Sequence, residues 1–221
     1  MGNLKNFVTN LHQSTKRNYI ERMNNNKAYC MSIAKKYGID YWDGDRKYGY
    51  GGYKYIPGRW KEVAQKLIDC YSLKSNSKGL DVGCGKGFLL YEMMLLLPDL
   101  EIYGIDISNY ALINSKPEIK DNLSLGKAEE RYNFNDQEID LTISLGTLHN
   151  LSFYNLGLAI DEIKRVSKKS YIMVESYRND DELFNLQCWA LTCKTFFSND
   201  DWINFFNYKR INCDYEFIYF T

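Results

Sequence analysis

The run Leu80-Asp81-Val82-Gly83-Cys84-Gly85-Lys86-Gly87-Phe88 constrains this chain more than any other stretch. An apolar strand enters a loop with glycine at every second position and leaves it into the apolar segment Phe88 to Leu97. A second apolar strand, Glu101 to Asp106, ends on an acid 19 residues after Gly87. Strand, glycine loop, helix, strand and acid define a βαβ unit with a ligand pocket at the carboxyl ends of its strands. Glycines let a ligand approach the backbone, the helix N-terminus offers free N–H groups, and the acid can accept hydrogen bonds from ribose hydroxyls. The unit suits a ligand that contains a nucleoside.

Glycine spacing selects among such ligands. A dinucleotide fingerprint, G-x-G-x-x-G, would place its third glycine at position 88, which is Phe88. The chain reads instead Asp81-x-Gly83-x-Gly85-x-Gly87, which resembles motif I of the class I S-adenosylmethionine (SAM) methyltransferases. Leu141 to Leu151 is similar to that family's fourth strand and the loop after it, and Lys169 to Tyr177 to its fifth strand. The resemblance spans roughly residues 60–221 and implies a doubly wound, seven-stranded, mainly parallel α/β sheet. It also implies SAM as cofactor and S-adenosylhomocysteine (SAH) as product. An α/β sheet without cofactor is the alternative reading.

With 221 residues the chain accommodates one α/β domain and an appendage. We divide it into residues 1–60, N-terminal helices and a Gly/Tyr-rich loop, and 61–221, the cofactor domain. Twenty-eight basic residues balance 28 acidic ones, and no basic stretch points to nucleic acid or a membrane surface. No apolar run reaches membrane-spanning length and the N-terminus lacks a signal-peptide core, so a cytoplasmic protein is expected. The six cysteines form no C-x-x-C pair and no cluster with histidine, so free thiols and no metal site are expected. A monomer or homodimer is expected.

Residues 10–37 read as two helices broken near Asn24-Asn25-Asn26, with Ser14 or Thr15 capping the first and Gly38 ending the second. The resemblance makes them a lid over the cofactor; plain edge packing is the alternative. The segment from Tyr41 to Trp60 has five glycines and five tyrosines and cannot be a regular helix. Its Arg46, Tyr48, Tyr50 and Tyr53 are candidate substrate-binding residues, a solvated ionic loop being the alternative. Further elements are expected as a helix at 61–71, strands at 79–82, 101–106, 123–125, 141–144 and 170–175, and helices at 109–114 and 159–166. The tail should hold a strand at 188–196, a Ser198-capped helix at 200–207 and an antiparallel closing strand at 215–220, the last implied by the resemblance.

The resemblance assigns the cofactor contacts. Backbone at Gly83, Cys84, Gly85 and Gly87 would cradle the methionine moiety, Asp81 would orient its amino group, and Asp106 with Ile107 would meet the ribose. Relatives carry an acid before Ala for the adenine amine; here the stretch is Gly126-Lys127-Ala128-Glu129, so the Ala128 backbone and Glu129 are the substitutes. Leu145 completes the set. Arg59 is the candidate for the cofactor carboxylate, because a guanidinium binds carboxylate bidentately; covering Trp60 or pairing with Asp43 are its other roles.

His149, on the loop after the fourth strand, is a candidate base, with Glu175 its rival and Tyr50 a third catalytic candidate. Hydrogen bonding to backbone is His149's other reading. The D/N-P-P-Y/F motif of amino-directed DNA methyltransferases and the Pro-Cys nucleophile of cytosine-C5 enzymes are both absent, which favours a small-molecule acceptor. The run Trp42 to Trp60 resembles bacterial methyltransferases of capsule and surface-polysaccharide modification, including those implicated in O-methyl phosphoramidate formation. That implies a phosphoryl, phosphoramidate or sugar-nucleotide acceptor. A small-metabolite hydroxyl or amine, a catalytically silent SAM-binding subunit, and an NAD-dependent oxidoreductase are the other classes.

Overall fold

The computed structural model describes residues 2–221. Six strands form one sheet in the order β3-β2-β1-β4-β5-β6: β1 (Lys78–Val82), β2 (Glu101–Asp106), β3 (Leu123–Leu125), β4 (Ile139–Leu145), β5 (Ser167–Glu175) and β6 (Asp214–Ile218). Every pairing is parallel. Chain order reverses between β1 and β4, and a crevice opens at their carboxyl ends.

Period-2 alternation distributes the strand side chains to two cores. Leu80 and Val82 of β1, with Ile172 and Val174 of β5, face α8 (Phe153–Val166) and α10 (Asn199–Tyr208). Leu141 and Ile143 of β4, with Tyr171 and Met173 of β5, face α5 (Lys61–Tyr71) and α6 (Phe88–Leu96). Ser152 caps α8 two turns before the expected start, and Ser198 caps α10 in a reciprocal capping box with Asp201.

The closing strand corrects two expectations. β6 lies directly beside β5 and runs parallel to it, so the expected antiparallel partner and seventh strand do not occur among the described residues. Residues 188–196 are not a strand. Asn179 caps α9 (Asp180–Trp189), which runs through Trp189, and Leu191 then packs with Cys30 and Ala34 of the N-terminal region. Apolar spacing of that stretch reflects burial against helices rather than strand pairing. The free edge of β6 is covered by the N-terminus, through a parallel bridge from Leu4 to Tyr215. Buried Glu216 accepts from the backbone N–H groups of Phe7, Val8 and Thr9, from the Thr9 hydroxyl and from the Tyr171 hydroxyl.

Three helices precede residue 37 rather than two: α1 (Thr9–Gln13), α2 (Tyr19–Asn24) and α3 (Lys27–Ala34). The break at the asparagines is present, with Asn26 at φ +44°. Asn18, not Ser14 or Thr15, supplies a side-chain cap, to α2, and Gly38 precedes the single turn α4 (Ile39–Trp42) instead of ending α3. Asn114 falls just outside α7 (Asn109–Ile113), which Ser108 caps.

Candidate functional site

The glycine loop takes its shape from β1 and β2. The N–H groups of Gly83 and Cys84 donate to the Ile105 carbonyl, which pins the loop against the neighbouring strand. Gly85 has φ +57°, a conformation that disfavours any side chain, and its N–H donates to Asp106 at 2.7 Å. Ser108 N–H donates to the other Asp106 oxygen at 2.7 Å. Asp106 is thus a buried carboxylate aimed by two backbone donors, and burial raises its pKa despite them.

Asp81, at the end of β1, is 4% exposed, and its Oδ1 has no hydrogen-bond partner. Burial, reinforced by the Asp106 charge, pushes its pKa up to about 7. An orphaned buried acceptor of this kind matches a cationic amino group, which fits the methionine end of SAM.

A cavity of about 550 Å³ extends from this loop, within the range of small-molecule sites. Asp81, Gly83, Cys84, Gly85, Leu145 and Arg59 line one part; His149, Glu175, Arg46, Tyr50 and Tyr53 line it too. Arg59 is exposed and does not pair with Asp43, whose carboxylate is taken by Lys86 at 2.7 Å and Tyr110 at 2.8 Å. The Cys84 thiol is held well above its ordinary pKa by burial, so it stays protonated.

Five expected cofactor residues, Gly87, Asp106, Ile107, Ala128 and Glu129, do not line the cavity. Beside Asp106 stands Trp42, whose indole N–H donates to Ser108 Oγ at 2.8 Å and whose ring covers Gly85. A Cβ on Gly85 would meet that ring at 2.6 Å, so the loop is filled by the chain's own indole where open cofactor space was expected. The Ala128 carbonyl accepts from Tyr132 OH, and Glu129 accepts from Asn155.

Tyr48 stands apart from the other candidate substrate-binding residues. It packs edge-on to Tyr29 beside the small Cys30 cluster and lies outside the cavity. Tyr50 stacks on Trp42 at 5.1 Å and 9°, and Tyr53 on Phe88 at 5.2 Å and 19°. Tyr50 is 44% exposed.

His149 and Glu175 form a pair. Glu175 N–H donates to His149 Nδ1 at 3.3 Å, and His149 Nε2 faces Glu175 Oε2 at 3.3 Å. This geometry defines a neutral imidazole protonated on Nε2. Burial lowers the His149 pKa, with Glu175 acting against it. The imidazole is 3% exposed, while the Glu175 side chain is the more open of the two.

Residues absent from the sequence reading complete the site: Trp42, Ser108, Tyr110 and Lys86. The Lys86 side chain is 5% exposed and, besides binding Asp43, donates to the Tyr53 carbonyl. A lysine inside an apolar glycine loop was the available signal, since a buried ammonium needs a partner. Ser108 and Tyr110 carried none.

The comparisons agree with this architecture. A family model described as a methyltransferase domain matches residues 73–210, more than half of the chain, so the chain belongs to that family and is a methyltransferase. SAM is the cofactor such a domain implies. YcgJ from Bacillus subtilis is 18% identical, with a TM-score of 0.53 over 66% of either chain. The BH2331 protein of Bacillus halodurans C-125 is 20% identical, with a TM-score of 0.54, covering 66% of this chain and 67% of that one. A chain in the complex between the Haloferax volcanii Trm112 methyltransferase activator and a methyltransferase is 17% identical over 85% of this chain and 76% of its own length, with a TM-score of 0.57. These likenesses show the fold. No curated protein matches the sequence significantly. No described helix is long and apolar enough to cross a membrane.

Proposed function

We propose that the chain transfers the methyl group of SAM to a small anionic acceptor, a phosphoryl or phosphoramidate oxygen or a sugar-nucleotide-type intermediate of capsular polysaccharide modification. The observation that carries this reading is the single cavity joining the glycine loop and orphaned Asp81 Oδ1 to the His149–Glu175 pair and Arg46. When bound, SAM supplies an electrophilic methyl on its sulfonium. This chain's residues position and desolvate. Asp81 receives the amino group, Arg59 the carboxylate, and Asp106 with Ile107 the ribose. Ala128 and Glu129 meet adenine, with Leu145 beside it. The nucleoside end becomes accessible when the Trp42 side chain moves, so residues 1–60 act as cover and substrate wall while 61–221 hold the cofactor.

An anionic acceptor oxygen needs alignment more than deprotonation, which agrees with a His149 whose Nδ1 already accepts a backbone bond. Resemblance of the Trp42 to Trp60 run to surface-polysaccharide methyltransferases supports the acceptor class. We place the enzyme in the cytoplasm, as a monomer or homodimer. Calorimetry with SAH, followed by SAM turnover against phosphoramidate, phosphate monoesters and neutral sugar hydroxyls, tests the reading. Binding of SAH with methylation of an anionic oxygen is expected; methylation of only neutral hydroxyls or amines would replace the acceptor class, and failure to bind SAH would remove the reading.

A further inference from the structure

Three arginines surround one indole in this cavity. The guanidinium carbons of Arg17, Arg22 and Arg46 lie 5.4, 4.7 and 5.1 Å from the Trp189 ring centroid. All four residues line the cavity that holds His149 and Glu175. Among the described residues, none of the three guanidiniums has a carboxylate within salt-bridge distance. Each is steered only by neutral carbonyls: Arg17 by His12 and Thr15, Arg22 by Trp189 and Arg46, Arg46 by Gly49. Arg17 Nε is buried and has no partner at all.

Such a cluster is electrostatically incomplete. Like charges repel in a partly desolvated cavity, and cations drawn part-way out of water, as Arg17 and Arg22 are, favour a counter-charge. Lys27 adds to the excess: its ammonium donates to the Cys188 and Ala190 carbonyls on either side of Trp189. Burial and the Arg22 charge lower its pKa to about 8. The indole face offsets part of the charge through cation–π contact, and leaves the outward N–H edges for a ligand.

We propose that Arg17, Arg22 and Arg46, assembled around Trp189, are the seat of a phosphoryl group on the methyl acceptor. This rests on the methyltransferase reading above and names two positions, Arg17 and Arg22, together with the Trp189 floor, that it did not contain. One arginine fork satisfies a carboxylate; three guanidiniums converging on one volume suit a group with several charged oxygens. The seat is separate from the cofactor's carboxylate site. Arg59 is not among the three arginines packed on the Trp189 ring.

Titration of SAH-saturated protein with inorganic phosphate, with acetate as the contrast, tests this. Phosphate should bind wild type more tightly than acetate, and Arg22→Gln or Arg17→Gln should each weaken phosphate by about tenfold or more, as loss of a charge-assisted contact does. SAH affinity, measured without phosphate, should stay within about twofold in every variant, since a change that small is under 0.5 kcal/mol. If Arg22→Gln does not fold, Arg46→Gln, whose side chain is exposed, carries the same comparison. Absence of phosphate binding to wild type, equal binding of acetate, unchanged phosphate affinity in the variants, or an SAH loss matching the phosphate loss would each overturn the proposal. Failure of wild type to bind SAH would show in the first titration, independently of the phosphate result, and would strike the methyltransferase reading instead.

Discussion

The Trp42 indole N–H donates to Ser108 Oγ at 2.8 Å, two residues beyond Asp106, while its ring lies across Gly85. One side chain from the N-terminal region thereby touches both the glycine loop and the segment after β2. Asp43, the next residue, is bound to buried Lys86 of the glycine loop at 2.7 Å, so the cover is fastened by an ion pair beside the indole. On the proposed cofactor placement, SAH binding and the position of this segment are expected to be coupled.

Trp42→Ala should speed SAH association and leave affinity at least equal to wild type. It should cost about 3–5 kcal/mol of stability, because a large buried side chain is lost. Stopped-flow binding and denaturant melts measure the two effects. Loss of SAH binding in a folded Trp42→Ala protein would mean that the indole holds the cofactor rather than covering its place.

Asp81 makes SAH binding depend on pH. With its carboxyl pushed up to about 7, the acid is largely neutral at lower pH and offers no charge to the cofactor ammonium. As pH rises through 7 the charge appears, and affinity should increase. Without ligand the same raised pKa means that stability falls as pH climbs from the ordinary 3.8 toward 7, where the unfolded state has already released its proton. Calorimetry across this window should show a rising affinity for wild type and a flat, weaker one for Asp81→Asn. A flat wild-type profile would sink the assignment.

For an anionic acceptor, His149→Ala should lower kcat by less than about tenfold, whereas a positioned base would be worth roughly 10² to 10⁴. The observed Nδ1 bond from Glu175 N–H favours the smaller effect. Rate profiles of wild type and variant against pH decide it: a large loss with disappearance of the acidic limb would identify His149 as a base.

Glu216→Gln should destabilise the protein by about 2–4 kcal/mol, since an amide cannot satisfy the backbone donors of residues 7–9 as a buried carboxylate does. Amide exchange should rise first in the N-terminal segment. Unaltered exchange there would show that the segment is held by other contacts.

His12 sets part of the acid sensitivity. It packs edge-on to Phe220 at 5.1 Å, and burial, with help from Arg17, lowers its pKa from 6.5 to about 3. The folded protein keeps it neutral while the unfolded chain takes up a proton below 6.5, so stability is lost as pH falls from 6.5 toward 3. His12→Leu should flatten this loss in denaturant melts at a series of pH values. An equally steep acid limb in His12→Leu would assign it to other groups.

Local chemistry determined much of this molecule. Alternation in β1, β4 and β5, the glycines at 83, 85 and 87, and the acid closing β2 each depend on neighbours a few residues away, so the βαβ core and its family resemblance were legible in order. Ser198's cap and the helix at 61–71 were legible for the same reason. Tertiary structure decided what depends on partners distant in sequence. The stretch 188–196 has apolar spacing compatible with a strand, and only packing against Cys30 and Ala34 made it a helix end and loop. Parallel placement of β6 followed from the helical crossover before it and from an N-terminal segment that occupies its free edge. Trp42 over Gly85, Lys86 on Asp43, and three arginines around Trp189 join residues separated by 43 to 172 positions. No periodicity records such pairings, because burial and charge balance are settled by the whole fold rather than by any one segment.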